Sequence, residues 1–184
     1  YAPAQPGMPV GAPYGATAAE PPINMPWYGI DFVNAIKRFF TKYATFSGRA
    51  SRGEFWWVML FLFLVSFVFN MLTRASSFFN VLSAIWGLAI LVPQIALAVR
   101  RVHDANLPGG WVALPYGIEV LGALVMTFST IGAVTSGLSG SSGGVGGGMA
   151  GILIGSLIML AGAVTAIVLF AKQSDPQGAR FDRR

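Results

Sequence analysis

The chain has 184 residues, of which 54% are hydrophobic and only 10% are charged, and its formal net charge is +5. A soluble domain normally carries about a quarter charged residues. This composition, with a mean hydropathy of +0.63, excludes an ordinary soluble protein and predicts an integral membrane protein. The basic residues lie beside apolar runs, which explains the positive charge without a nucleic-acid partner. Cysteine is absent, so disulfides and thiolate metal sites are excluded.

Two segments precede the long apolar runs. Residues 1–26 are rich in Pro, Ala and Gly, a composition that predicts a disordered or extended arm. The alternative is a strap that becomes ordered along a partner protein. Residues 27–46 place Phe32, Ile36 and Phe39 at three- and four-residue spacings, with charged residues mostly on other faces. This pattern predicts an amphipathic helix lying in the membrane interface.

Four apolar runs in residues 47–171 are long enough to cross a membrane. A helix rises about 1.5 Å per residue, so roughly 20 apolar residues span the hydrocarbon core. The predicted transmembrane helices occupy residues 55–72, 78–99, 111–131 and 149–171, and a Gly- and Ser-rich stretch, residues 132–148, is predicted to be a flexible loop. Residues 172–184 form a basic tail.

Individual residues add detail to these helices. Ser51, three residues before Glu54, has capping-box spacing and predicts that a helix begins there. Pro93 lies inside the second run, where it should kink the helix and leave the carbonyl four residues earlier without its usual partner. Gln94 is the candidate to bond that carbonyl or a neighbouring helix.

Small residues in the fourth run indicate close helix packing. Gly151 and Gly155 have the GxxxG spacing that lets two membrane helices approach each other closely.

The distribution of positive charge predicts how the chain is threaded. All Lys and Arg residues except Arg74 fall on one side of the four spans. Because such residues favour the cytoplasmic side, both termini are expected there. The predicted fold is therefore an all-α integral membrane protein, with four transmembrane helices preceded by an interfacial amphipathic helix.

Three charged segments, residues 48–54, 100–104 and 174–181, should meet on that side. Residues 43–57, YATFSGRASRGEFWW, and the later RRVHD and SDPQGARF strings resemble the signatures of the domain of unknown function 805 family. The members of that family are small bacterial inner-membrane proteins. The resemblance covers roughly residues 30–181 and implies a multi-pass protein of the bacterial cytoplasmic membrane with a charge cluster at its cytoplasmic face. It implies no activity, and the Pro-rich arm and the long Gly-rich stretch depart from the family pattern.

The charged side chains of these segments are the main candidate site. This charge cluster consists of Arg49, Arg52, Glu54, Arg100, Arg101, His103 and Asp104. We expect a structural lattice in which Arg49 and Arg52 pair with Asp104, and Glu54 pairs with Arg100 or Arg101. The alternative is a site for an anionic phospholipid headgroup. His103, the only histidine, is interpreted as a member of the lattice, so no catalytic residue, cofactor or metal site is predicted.

Two polar residues, Gln94 and Glu119, lie inside predicted spans. An acid at membrane depth suggests a proton relay or an ion site. The favoured interpretation is a hydrogen-bonded Glu119 that faces Gln94, Asn80 or a partner subunit, because no second titratable group lies at membrane depth.

These features favour a non-catalytic accessory or assembly subunit, docked against a larger inner-membrane complex such as a respiratory complex. The expected partners are other membrane subunits and membrane lipids, including anionic phospholipid. The alternative is a small oligomeric transporter or a lipid-binding membrane protein, and an enzyme that uses His103 ranks third.

Overall fold

The computed structural model describes residues 20–183, which contain helices and no strand. The α-helices are α1 (Phe32–Thr41), α2 (Arg52–Thr73), α3 (Phe78–Asp104), α4 (Ala113–Leu138) and α5 (Ser142–Phe170), and 3₁₀ segments cover Gly109–Val112 and Pro176–Arg183. Four helices of the described chain are long and apolar enough to cross a membrane, and each overlaps one predicted span. The all-α fold with four spans is therefore confirmed.

The chain divides into two compact units. The first contains α1, α2, α3 and the C-terminal tail, and the second contains α4 and α5. The predicted Pro-rich arm falls largely on residues 1–19, which lie outside the described residues.

The start of α2 follows the local sequence signal. The Ser51 hydroxyl accepts a hydrogen bond from the Glu54 backbone N–H at 3.1 Å, so the helix begins at Arg52 as the capping spacing predicts. The Glu54 side chain does not complete the box, because its carboxylate instead accepts the Trp27 backbone N–H at 2.7 Å.

The predicted amphipathic helix is shorter than residues 27–46 and lies against α2. Ala35 and Phe39 are buried. Before α1 begins, the Ile30 carbonyl accepts a hydrogen bond from the Trp57 indole N–H at 3.0 Å, and the Phe32 and Trp57 rings pack edge to face. The interfacial location of α1 stays a prediction.

The predicted flexible loop at residues 132–148 is wrong. Helix α4 continues to Leu138 and α5 begins at Ser142, so a link of only residues 139–141 remains. The glycines of this stretch are helical because a chain in lipid must satisfy its backbone hydrogen bonds internally. Their missing side chains also let two helices approach, since a Cβ at Gly148 would lie 2.8 Å from the Ala133 backbone.

The α4–α5 contact extends through the predicted small-residue face. A Cβ at Gly155 would lie 2.9 Å from the Gly122 carbonyl oxygen, and one at Gly151 would clash with the Ser129 hydroxyl. The two backbones are therefore so close that the contact has no room for side chains at these positions.

Helix α3 runs continuously through Pro93, and a tyrosine satisfies the carbonyl that the proline leaves without a partner. That carbonyl belongs to Ala89, and it accepts a hydrogen bond from the Tyr43 hydroxyl. The assignment of this role to Gln94 is therefore wrong. Tyr43 lies far away in the sequence and reaches Ala89 only because the segment after α1 folds back onto α3.

Candidate functional site at the charged end of α2 and α3

Backbone hydrogen bonds join the three charged segments at one end of the first unit. The Ala50 N–H donates to the Arg100 carbonyl at 3.0 Å, and the Gly48 N–H donates to the Phe181 carbonyl at 3.0 Å. The tail is tied to α3 as well, because the N–H of Asp175 donates to the backbone carbonyl of Asp104. The predicted convergence of these segments is confirmed.

The Asp104 carboxylate is the acceptor for several side chains of this site. It pairs with Arg101 at 2.9 Å, and both side chains are fully buried. It also accepts hydrogen bonds from the hydroxyl groups of Tyr28 and Ser174. The predicted pairing of Asp104 with Arg49 or Arg52 is wrong, because residues three apart on one helix are immediate neighbours and Arg101 occupies that position.

Arg49 pairs instead with Asp182 in the tail. The Arg49 Nε and Nη2 atoms lie 3.0 and 2.7 Å from the two carboxylate oxygens, which is a bidentate arrangement. Burial by itself would lower the pKa of Arg49, but the hydrogen bonds and charge of Asp182 outweigh this effect and raise the pKa. This pair holds the tail against the segment that precedes α2.

His103 belongs to the same structural network. Its Nδ1 lies 3.1 Å from the Gly48 carbonyl oxygen, so the Nδ1–H tautomer donates to that carbonyl. Its ring stacks on Phe181 with centroids 4.0 Å apart and an interplanar angle of 3°. The described residues contain no group of three or more His, Asp or Glu side chains that could hold a metal ion.

Glu54 is paired across the first unit with α1. Its carboxylate lies 3.0 Å from Arg38 Nη1, and both side chains are buried, so the predicted ion pair of Glu54 with Arg100 or Arg101 is wrong. The Arg38 guanidinium also donates to the carbonyls of Pro22, at 3.0 Å, and of Pro21 and Met25, each at 3.3 Å. The segment from Pro21 to Met25, part of the predicted arm, therefore lies over the Arg38 guanidinium.

Two buried cationic side chains near Glu54 have fewer hydrogen-bond partners to offset their burial. Lys42 and Arg100 are each 1% exposed, and Lys42 Nζ and Arg100 Nη2 have no hydrogen-bond partner among the residues that the structure describes. Burial lowers the pKa of Lys42 to about 8, with repulsion from Arg100 and Arg38 adding to the effect and Glu54 opposing it.

Arg52 stands apart from these pairs. It is exposed in the first turn of α2, at the wall of a cavity of about 340 Å³. We call this the Arg52 cavity, and it is lined by Tyr28, Gly29, Ser51, Arg52, Gly53, Gln173 and Ser174. No acidic residue is part of this lining.

A second cavity lies between α2 and α3 at the opposite end of these helices. This polar cleft, also about 340 Å³, is lined by Ser66, Phe69, Asn70, Thr73, Asn80, Ser83, Trp86, Gly87 and Ile90. The indole nitrogen of Trp86 is buried there and has no hydrogen-bond partner in the described part of the chain.

Of the two intramembrane polar residues predicted, Glu119 packs within the second unit. Its Cγ would lie 2.8 Å from a Cβ built on Gly162, so the absence of a side chain at Gly162 makes room for it. Gln94 is half-buried beside the buried Pro93.

Sequence reasoning missed Tyr28, Arg38, Tyr43 and Asp182 as members of the site. For Tyr43 and Asp182 a signal existed, because both stand within or directly beside the strings that resemble the family signatures. For Tyr28 and Arg38 no such signal existed, because both lie outside those strings, in the segment interpreted as an amphipathic helix.

These observations define a multi-pass helical membrane protein whose charged motif residues mostly form ion pairs or hydrogen bonds within one network. The model of the family described as "Protein of unknown function (DUF805)" matches residues 43–183, and the chain belongs to this family.

Two relatives from Escherichia coli strain K12 support this assignment. The inner membrane protein YhaI is 36% identical over 101 residues, which cover 54% of this chain and 82% of the relative. The inner membrane protein YhaH is 30% identical over 100 residues, covering 52% and 82%. No solved structure matches. With its relatives in the inner membrane and four helices able to span one, this chain is a bacterial inner membrane protein.

Proposed function

We propose that the protein is a non-catalytic accessory or assembly subunit that docks against a larger complex of the inner membrane. The polar cleft between α2 and α3 carries this proposal. Ser66 lies seven residues before the end of α2, and Trp86 lies eight residues after the start of α3. At 1.5 Å per residue, the hydrogen-bonding lining therefore reaches about 10–12 Å along the two helices from that end.

The hydrocarbon chains of lipids cannot form hydrogen bonds with the polar side chains that line the cleft. Asn70 and Asn80 are exposed, and each carries an amide with donors and acceptors. Polar side chains in membrane helices commonly bond to a neighbouring helix, and this contact drives association where the hydrophobic effect is weak. The occupant that fits best is a transmembrane helix of a partner protein that presents hydrogen-bonding side chains.

The charged end of the first unit supports the non-catalytic part of the proposal. Asp104, Glu54 and Asp182 are each held in an ion pair, and His103 is held by Gly48 and Phe181. A general acid or base needs a side chain that can exchange protons with a substrate. Groups that already hold the fold together are poorly suited to that role.

The test is purification of the tagged protein in mild detergent, with the stoichiometry of co-purifying proteins measured by mass spectrometry. We expect fixed-ratio partners for the wild type and their loss from the Asn70→Leu, Asn80→Leu double variant. Leu64→Ala is the matched control, because Leu64 is exposed on the opposite face of α2. Recovery of the wild type alone, or only as a symmetric oligomer, would exclude an accessory subunit.

A site-specific cross-link makes this test sharper. The chain has no cysteine, so Ser83→Cys introduces a unique thiol into the polar cleft. A cross-linker on that thiol should capture a transmembrane segment of the fixed-ratio partner. Partners that persist in the double variant and never cross-link from Ser83→Cys would show that docking occurs elsewhere.

A further inference from the structure

The Arg52 cavity has the volume of a small ligand site and a mainly polar lining, and it is separate from the polar cleft. Its volume of about 340 Å³ falls at the lower end of the range for small-molecule pockets, which is about 300–1,000 Å³. Its lining combines a guanidinium, a primary amide and hydroxyl groups, and it is more polar than apolar.

The charge of this lining is positive and uncompensated. Arg52 has no ion-pair partner among residues 20–183, although three carboxylates lie in the same network. Each of these carboxylates is paired with another base: Asp104 with Arg101, Glu54 with Arg38, and Asp182 with Arg49.

The hydroxyl groups of the lining add no negative charge. Tyr28 and Ser174 both donate to Asp104, so their hydrogens point toward that carboxylate. Burial, reinforced by the charge of Asp104, raises the pKa of Tyr28 to about 12, which keeps its phenol neutral at physiological pH. The Arg52 guanidinium and the amide of the exposed Gln173 are therefore the side-chain donors for a ligand.

From this geometry we infer that the Arg52 cavity binds a phosphate group. A guanidinium matches two phosphate oxygens with two parallel hydrogen bonds, and an amide N–H can serve a third. Arg52 is the first residue of α2, so the cavity lies where this membrane-spanning helix begins. The phosphate of an anionic phospholipid is available at that level, and a soluble phosphate compound could reach the same exposed side chain.

The experiment compares the wild type with Arg52→Gln and Gln173→Leu. Lys37→Gln is the matched control, because Lys37 is exposed on α1 and its loss removes the same charge from the same unit. Arg52 and Gln173 are both exposed, so neither substitution is expected to prevent folding, and a thermal melt of each protein checks this.

Two arms separate the two sources of phosphate. In the first, native mass spectrometry counts phosphatidylglycerol retained by the protein, with phosphatidylcholine as the neutral comparison. In the second, inorganic phosphate is titrated against the delipidated protein in a neutral detergent and the shift of the melting temperature is recorded. Preference for phosphatidylglycerol identifies a lipid ligand, and saturable stabilisation by inorganic phosphate identifies a soluble one.

In whichever arm responds, we expect Arg52→Gln to weaken binding about tenfold or more, as for the loss of a charge-assisted bidentate contact. Gln173→Leu should weaken it less, and Lys37→Gln should leave it unchanged. Equal binding by the wild type and Arg52→Gln would overturn the inference. So would equal weakening by Arg52→Gln and Lys37→Gln, which would indicate attraction to the whole surface. Neither outcome depends on a partner in the polar cleft.

Discussion

The backbone carbonyl of Ala89, in α3, accepts its hydrogen bond from a residue outside that helix. Residue 93 of an ordinary helix would donate its N–H to this carbonyl, but Pro93 has none. The Tyr43 hydroxyl donates in its place. Because this part of α3 lies in an apolar span, water cannot readily replace a lost donor.

Tyr43→Phe should therefore be destabilising although it removes a single oxygen atom. Ala89 is exposed on the protein surface, but the surrounding lipid keeps water from its carbonyl. An acceptor that is shielded from water and left without a donor costs about 1–3 kcal/mol. Taking about 2 kcal/mol for a protein of this length, the melting temperature should fall by roughly 4–8 °C. The aromatic ring is retained, so the packing contribution of residue 43 should change little.

Pro93→Ala provides the internal control through a double-mutant cycle. An alanine at residue 93 restores an N–H that can bond to Ala89, so Tyr43→Phe should cost much less in that background. The two substitutions should show a coupling energy of about 1–2 kcal/mol. Thermal melts of the four proteins in one detergent, followed by circular dichroism at the helix band, measure it. A Tyr43→Phe effect of the same size in both backgrounds would refute the reasoning.

Two further predictions concern helix packing and pH. Gly155→Ala should destabilise the protein by about 1–3 kcal/mol, because its Cβ would lie 2.9 Å from the Gly122 carbonyl oxygen. Gly147→Ala, on the same helix with nothing within 4 Å, should be neutral or stabilising in the same thermal melt, and equal losses would contradict the close helix contact. The pKa of Lys42, about 8 when folded and 10.5 ordinarily, means that the unfolded chain binds more protons between these values. The free energy of unfolding should therefore rise as the pH increases from 8 to 9.5. Melts across that range should show the rise in the wild type and its absence in Lys42→Met, and a rise of equal size in both proteins would disprove it.

The upper pH limit of that last experiment has a physical basis. The pKa of Tyr28 is raised to about 12 by burial, so above the ordinary value of 10 the folded state holds a proton that the unfolded chain loses. This effect lowers the free energy of unfolding with rising pH, opposite to the effect of Lys42. Measurements at or below pH 9.5 keep the two apart.

The sequence alone was sufficient for the number of membrane helices and for much of their extent. Both depend on local properties, since an uncharged apolar run of about 20 residues has few alternatives to a spanning helix. The start of α2 could also be predicted from a local signal, because Ser51 and Glu54 lie within one turn of each other. The convergence of the charged segments also followed from local signals, because each such segment lies at the end of a span.

The partners inside the site were decided only by the tertiary structure. A carboxylate can pair with any base that reaches it, and several bases of the same charge were available to Asp104, Glu54 and Asp182. Which base lies within reach of each carboxylate depends on how α1 and the tail fold over the ends of α2 and α3. The link from Tyr43 to Ala89 is of the same kind, because it joins residues 46 apart in the chain.

The Gly- and Ser-rich stretch shows the limit of composition most plainly. Glycine is typical of a flexible loop in water and of a close helix contact in lipid, so its frequency alone does not distinguish the two. The distinction depends on whether another backbone lies opposite. Here Ala133 and Gly122 of α4 face Gly148 and Gly155 of α5, so these glycines serve a close helix contact. The small-residue spacing indicated such a contact, but only the tertiary structure identifies α4 as the partner helix and extends the contact to Gly148.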